Sequence, residues 1–296
     1  AINADRVWHE LGIDGTGAIV ANMDSGVDVN HPMLTHRWRG NFAPAAECWQ
    51  DHGDVGSPDV PVDVYGHGTH VMGTITGVGS ADTVGVAPGA TWIATNAIWS
   101  TSETLDNQVI AAFEWLADPD GDPTTGDDVP DVVQNSWGVN PSSGVYLDCD
   151  TRWYDVIDNC EAAGVVVLWS AGNEGPGPGS LRTPPNRADT PTSSFSIGST
   201  RTSFPYQLSS FSARGPSQCG GPYAIKPEVV APGQDILSCY PGGAMAYMSG
   251  TSMAGPHVAG VVALMRQARP DVDVITIKEI LMETALDLGF AGEDNE

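Results

Sequence analysis

Lysine is nearly missing from this 296-residue chain, with only Lys226 and Lys278 present. Lysine and arginine together number 12 against 37 acidic residues, a formal net charge of −25. A surface so poor in cations repels a phosphate backbone, so nucleic-acid binding is excluded as a primary role. Long hydrophobic runs are also missing. The longest, Val165–Trp169 and Val258–Met265, fall far below the roughly 20 residues needed to cross a bilayer, so a membrane-spanning protein is excluded. Closely spaced cysteine pairs are absent too. The five cysteines, Cys48, Cys149, Cys160, Cys219 and Cys239, include no CxxC, which argues against a structural zinc site. An odd count leaves at least one thiol unpaired within the chain. A helix read over Asp150–Ala163 would separate Cys149 from Cys160 by about 16 Å, whereas a disulfide needs Cα atoms within about 7 Å. That pairing conflicts with the helix, and other pairings stay open.

What is present is a chain with a large core. Hydrophobic residues make up 41%, while 35 glycines and 22 prolines demand many turns. Ala18–Met23, Thr91–Ala97, Val132–Ser136, Val165–Ser170 and Ser194–Gly198 are short, nearly continuous apolar runs, the pattern of strands covered on both faces. Between and after them lie helical patterns at His67–Thr76, Leu105–Ala117, Asp150–Ala163, Ser252–Ala268 and Ile275–Leu286. This alternation predicts an α/β fold, a doubly wound and mainly parallel sheet flanked by helices on both faces in three layers. In such sheets the chemistry gathers at the carboxyl ends of the strands.

Four segments fall at those places. Strand Ala18–Met23 runs into Asp24-Ser25-Gly26, where a carboxylate can point into the crevice and orient a histidine, though Asp-Ser-Gly is also an ordinary turn. Gly66-His67-Gly68-Thr69-His70 opens a helix among small residues, which suits tight packing with the His67 ring facing a cleft. His70 reads as a buried structural histidine, and a metal pair would need ligands that are not evident. Asn173 lies in a glycine-rich turn, Ser170–Gly175, directly after a strand; there its amide could donate to an oxyanion or simply shape the turn. Ser249–Gly260 passes from turn to helix with Ser252 at the boundary. The free N–H groups and dipole of a helix start favour developing negative charge. Ser252 is thus placed to attack a carbonyl and help hold the resulting oxyanion, beyond the simpler role of an N-cap. Pro256 fits a first helical turn, which has no use for its missing N–H.

Taken together, in the order Asp…His…Ser with GTSMA around the serine, these segments resemble the subtilisin-like serine proteases, or subtilases (peptidase S8). The α/β-hydrolases use another order and a G-x-S-x-G elbow. The resemblance runs from about Val7 to Thr284. NSWG, SAGNEGPGPGS, FSARGPSQC and IKPEVVAPG look most like the bacillopeptidase F branch of that family. The resemblance implies one catalytic domain spanning residues 1–296, with Asp24 as the orienting carboxylate, His67 as general base, Ser252 as nucleophile and Asn173 as oxyanion donor. It implies that Ser136, Trp137 and Gly138 pair with an extended peptide, and that together with Ser170, Ala171 and Gly172 they line the pocket for the residue before the cut. Trp137 stands where a smaller residue is common, as a wall of an outer subsite or a packed core side chain. The partners implied are polypeptide substrates and the chain's own propeptide, acting as folding aid and inhibitor. A monomeric, secreted enzyme follows, with a processed start at Ala1. A binding module on the same fold and a serine esterase are the alternatives; turnover of protein and of amide against ester substrates separates them.

One departure concerns calcium. The family's usual site takes an Asp shortly after Asn30-His31-Pro32, but Met33 follows here, and the loop Gly77–Thr83 is short. That site is therefore expected to be absent or rebuilt. The acidic segment Asp118–Asp131 offers a replacement at Asp118, Asp120 and Asp122 with Asp127 or Asp128, where alternating carboxylates resemble a calcium loop without matching the EF-hand. A solvated acidic loop is the other reading.

Overall fold

β-Branched and aliphatic residues dominate the strand segments, and their side chains alternate between two separate apolar layers. The computed structural model describes residues 2–80, 82–98, 102–140 and 145–288. In chain order these form α1 (Ala4–Leu11), β1 (Ile19–Met23), β2 (Trp49–Gln50), α2 (His67–Thr76), β3 (Thr91–Thr95), α3 (Ser102–Ala117), β4 (Val132–Asn135), α4 (Tyr154–Ala162) and β5 (Val166–Ser170). They continue with β6 (Ser196–Thr200), β7 (Val229–Pro232), β8 (Ile236–Tyr240), β9 (Ala244–Met248), α5 (Thr251–Ala268) and α6 (Val274–Thr284). Seven strands make one parallel sheet in the order β2-β3-β1-β4-β5-β6-β7, with Val20 opposite Trp92 on one side and Val132 on the other. β8 and β9 form a separate antiparallel hairpin.

Val20, Val132, Val166 and Leu168 face one helical layer, packing with Val71, Met72 and Ile75 of α2 and Ala259, Val262 and Ala263 of α5. Ala21, Ile93, Val133 and Val167 face the other, with Phe113 and Leu116 of α3 and Ile157 and Cys160 of α4. The three-layer α/β architecture expected from the sequence is therefore present. No helix among the described residues is long and apolar enough to cross a membrane.

The differences have local causes. α4 starts at Tyr154 because Asp150 accepts from the Arg152 N–H and side chain, making a turn first. Cys149 then sits in a left-handed turn and pairs with Cys219, 70 residues away, while Cys48, Cys160 and Cys239 are buried free thiols. β6 starts at Ser196 because Ser194 has a positive φ of 42°. α1, β2, β7 and the β8–β9 hairpin are elements the apolar runs do not reveal. β7 contains Pro232 and lies at the sheet edge, and the hairpin strands are partly exposed rather than buried throughout. Pro256 lies in the sixth position of α5 and not in its first turn. Its missing N–H leaves the Ser252 carbonyl without an i+4 donor, and the Ser136 hydroxyl fills that place at 3.0 Å.

Candidate active site

The inner strand β1 delivers Asp24 to the carboxyl edge of the sheet, where its N–H is fixed by the Thr95 carbonyl at 3.0 Å. Gly68 allows the first turn of α2 to settle on this point, since a Cβ there would come 2.1 Å from the Gly26 carbonyl. His67 Nδ1–H donates to Asp24 Oδ1 at 2.7 Å, and the same oxygen accepts from the Ser25 N–H at 2.7 Å. Asp24 is fully buried, whereas the imidazole retains 21% exposure. Burial alone would lower the His67 pKa. The charge and hydrogen bond of Asp24, reinforced by the charge of Asp63, outweigh it and raise the value above the ordinary 6.5.

Asp63 is a functional residue that sequence reasoning missed. Its Oδ1 accepts from Ser25 Oγ at 2.9 Å and from the N–H groups of Tyr65 and Gly66 at 3.0 and 2.8 Å. Its Oδ2 accepts from the N–H and hydroxyl of Thr69 at 2.9 and 2.7 Å. Ser25 Oγ in turn accepts from the Gly68 N–H at 2.9 Å. Asp63 thus caps the start of α2 and ties it to the turn after β1. A carboxylate four residues before a helix whose N-cap is glycine was the available signal.

His70 takes no part in that pair. Its Nε2–H is shared by the carbonyls of Ile236 and Ala246 at 3.0 and 3.1 Å, and burial lowers its pKa to about 4, so it stays a neutral clasp on the hairpin.

Ser252 is the second residue of α5, with its N–H in the turn that lacks helical acceptors. Its hydroxyl donates to the Ser136 carbonyl at 3.0 Å. Asn173 lies after β5, where its Oδ1 accepts from the Thr251 N–H and hydroxyl at 2.9 and 3.0 Å. This fixes which end of the amide is the donor. A Cβ on Gly250 would lie 3.5 Å from Asn173 Nδ2 and 3.6 Å from the Ser252 nitrogen, so both donors border one small space.

The segments following β4 and β5 are clamped to this helix start. Ser170 Oγ donates to the Thr251 carbonyl at 2.9 Å, and the Gly172 N–H donates to Thr251 Oγ1 at 3.2 Å. Gln134 Nε2 reaches both Ser136 Oγ and Ser170 Oγ, at 3.1 and 3.2 Å. Ser136, Ser170 and Gly172 are therefore held against the start of α5 beside Ser252, while the carbonyls of Gly138 and Ala171 accept from Arg182 Nη1 and the Arg182 N–H at 3.1 and 3.2 Å. Trp137 turns the other way. It packs edge-on against Trp153 and Trp169, with ring centroids 5.6 and 5.0 Å apart, in the layer of α3 and α4.

The acidic loop between α3 and β4 gathers Asp118, Asp120 and Asp128, one oxygen of each lying within 4.8 Å of the others. Calcium–oxygen distances of about 2.3–2.6 Å fit that spread. Asp128 is 2% exposed, its Oδ2 accepts from the Asp120 N–H at 2.7 Å, and its Oδ1 is buried with no partner. Burial and the charges of Asp120 and Asp128 raise the Asp118 pKa. These hard oxygen donors suit a divalent cation, and the cluster could hold one. The expectation for Asp122 is corrected: its Oδ1 is turned to the N–H and hydroxyl of Thr124, at 3.0 and 2.7 Å, and Asp128 takes its place.

A doubly wound parallel sheet flanked by helices, with an Asp–His pair, a helix-start serine and a fixed carboxamide placed at its carboxyl edge, defines the class of the protein as three-layer α/β. The chain belongs to the Subtilase family (Peptidase S8), whose profile matches residues 15–296. It is 40% identical over 304 aligned positions to bacillopeptidase F of Bacillus subtilis, covering 96% of this chain but only 20% of that protein. It is 30% identical to subtilisin Savinase of Lederbergia lenta, covering 95% of this chain and 88% of that one. Among solved structures, the S41 psychrophilic protease superposes with a TM-score of 0.72 at 25% identity, over 92% of this chain and 84% of that one. Sphericase superposes with a TM-score of 0.70 at the same identity and coverage.

Proposed function

We propose that this chain is the catalytic unit of a secreted serine endopeptidase that cleaves extended polypeptides through an acyl-enzyme. The observation that carries the proposal is the convergence of the Asp24–His67 hydrogen bond, Ser252 and the oriented Asn173 amide at one sheet edge. In the reaction the Ser252 hydroxyl leaves the Ser136 carbonyl and gives its proton to His67 Nε2 as Oγ attacks the substrate carbonyl. Asp24 holds the imidazole with Nδ1 protonated and stabilises its cation. Asn173 Nδ2 and the Ser252 N–H receive the oxyanion. His67 then protonates the leaving amine, and water repeats the sequence to release the acid. Ser136–Gly138 and Ser170–Gly172 bind the substrate backbone by strand addition. The Cys149–Cys219 bridge supports an oxidising, extracellular location. The family resemblance supports a monomer released from its own propeptide. We further propose that Asp118, Asp120 and Asp128 hold a calcium ion of structural role, because their loop leads to the amino end of β4, away from the reactive edge.

Intact mass after a fluorophosphonate probe tests the serine. Ser252 Oγ displaces fluoride from phosphorus, so one phosphonyl adduct is expected on wild type and none on Ser252→Ala. Asn173→Ala should fold normally and turn over peptides about 100-fold more slowly, the scale known for losing one oxyanion donor in a subtilisin. An adduct that persists on Ser252→Ala, or none on folded wild type, overturns the assignment.

A further inference from the structure

Arg182 stands in the slot between the two substrate-binding segments, a place that neither composition nor motif reveals. The Arg182 N–H donates to the Ala171 carbonyl at 3.2 Å, and Thr183 exchanges both backbone hydrogen bonds with Val139, at 2.8 and 3.1 Å. Residues 182–183 therefore bridge the ends of Ser136–Gly138 and Ser170–Gly172. The Arg182 stem lies against both glycines. A Cβ on Gly138 would come 2.9 Å from Arg182 Cβ, and one on Gly172 would come 3.1 Å from Arg182 Cγ. Its head is braced on both sides as well. Nη1 donates to the Gly138 carbonyl at 3.1 Å, Nε donates to Glu174 Oε1 at 2.9 Å, and Nη2 closes the ion pair with the same oxygen. Glu174 Oε2 accepts from the Asn173 N–H at 2.9 Å, which ties the pair to the residue that supplies the oxyanion donor. Both charged side chains keep about a third of their exposure, 31% and 30%. A guanidinium has five N–H groups, and these contacts take one on each nitrogen, leaving one free on each Nη.

We propose that Arg182, held by Glu174, is the specificity-determining residue of the slot for the side chain before the scissile bond, and that it selects side chains of moderate length ending in an oxygen acceptor. The inference rests on the serine-endopeptidase reading above. The stem lies against both Gly138 and Gly172, which narrows the slot for a large aromatic ring. The two remaining N–H donors sit on a partly exposed head, so a glutamine or glutamate that enters gains a hydrogen bond to a charged donor that phenylalanine and leucine cannot make. A lysine entering the same slot meets a like charge. A site built to hydrogen-bond its ligand discriminates against analogues that lack the acceptor, because its own donors are then left unpaired.

The test compares kcat/KM for peptidyl p-nitroanilides that differ only in that residue: Gln, Glu, Leu, Phe and Lys. Enzyme concentration is set by fluorophosphonate titration of the reactive serine. Wild type should favour Gln or Glu over Phe, Leu and Lys by about 10-fold or more. Arg182→Met keeps the stem and removes the donors, so it should erase that preference. Arg182→Ala should in addition raise Phe by about 10-fold as the slot widens. A wild type that prefers Phe or Leu, or an Arg182→Met enzyme with unchanged ranking at full titration, overturns the assignment of Arg182 and leaves the protease reading intact. Absence of titratable serine in folded wild type overturns the protease reading itself, and this inference with it.

Discussion

The imidazole of His67 is pulled in two directions, downward by burial and upward by Asp24 and Asp63, and the upward pull prevails. General-base catalysis needs the neutral ring, so activity must fall as pH drops through the raised value. The acid limb of kcat/KM should therefore have its midpoint above 6.5. Asp63→Asn matches the carboxylate in size, removes its charge and gives up one of its two acceptors, and should move the limb downward. A limb at or below 6.5 in wild type, or one unmoved by Asp63→Asn, contradicts this account. The same displacement has a thermodynamic side: the His67⁺–Asp24⁻ pair stabilises the fold below pH 6.5 and loses that contribution as pH rises through the raised pKa. Asp24, His67, Asn173 and Ser252 were legible as candidates because each lies in the turn after a strand or at the start of a helix, and because their four segments together resemble the subtilases. Asp63 and Arg182 were not. Ser25, one of the partners of Asp63, lies 38 residues away, and the Gly138 carbonyl that receives Arg182 lies 44 away. Such partners exist only after the chain has folded.

At the scale of elements, strands buried on both faces could be read from their apolar runs, because nearly every position in them is apolar or small, Asn22, Gln134 and Asn135 being the polar exceptions. The edge strand β7 and the half-exposed hairpin β8–β9 could not, since their pattern answers to neighbours and solvent as much as to a core. Trp137 shows the same limit: only the positions of Trp153 and Trp169 decide that it packs inward. The loop between α3 and β4 was legible as an acidic cation candidate, but which carboxylates converge depends on its turns. Asp122 is used to build the turn at Thr124, while Asp128 is buried with a spare oxygen. Two substitutions separate these roles. Calcium in large excess over its Kd should raise the Tm of chelator-treated wild type by about 5 °C. Asp128→Asn should abolish that rise, and Asp122→Asn should retain it. Equal loss in both variants, or no rise in wild type by calorimetry, refutes the proposed ligand set.

At the scale of the molecule, the net charge of −25 was evident from the sequence, but the fate of its two lysines was not. Both are buried. Lys226 pairs with Glu228 and donates to the Ser193 carbonyl at 2.6 Å, and Lys278 pairs with Glu161 and donates to the Thr192 carbonyl at 3.0 Å. Neither lysine relieves the surface, so arginine supplies the fixed surface cations among the described residues. Carboxylates far outnumber them, and their mutual repulsion opposes the compact state. Raising NaCl from about 10 mM to about 500 mM shrinks the Debye length from roughly 30 Å to under 8 Å. That screens the exposed carboxylates but hardly touches the buried lysine pairs. With calcium held saturating, Tm should therefore climb by about 5 °C or more across that range, with the steepest rise at low salt, where the screening length changes most. A Tm that stays level or falls would mean that attractive surface pairs such as Arg152 with Asp106 and Asp150, or Arg187 with Asp158 and Asp189, already balance the repulsion locally, despite the excess of acid in the whole chain.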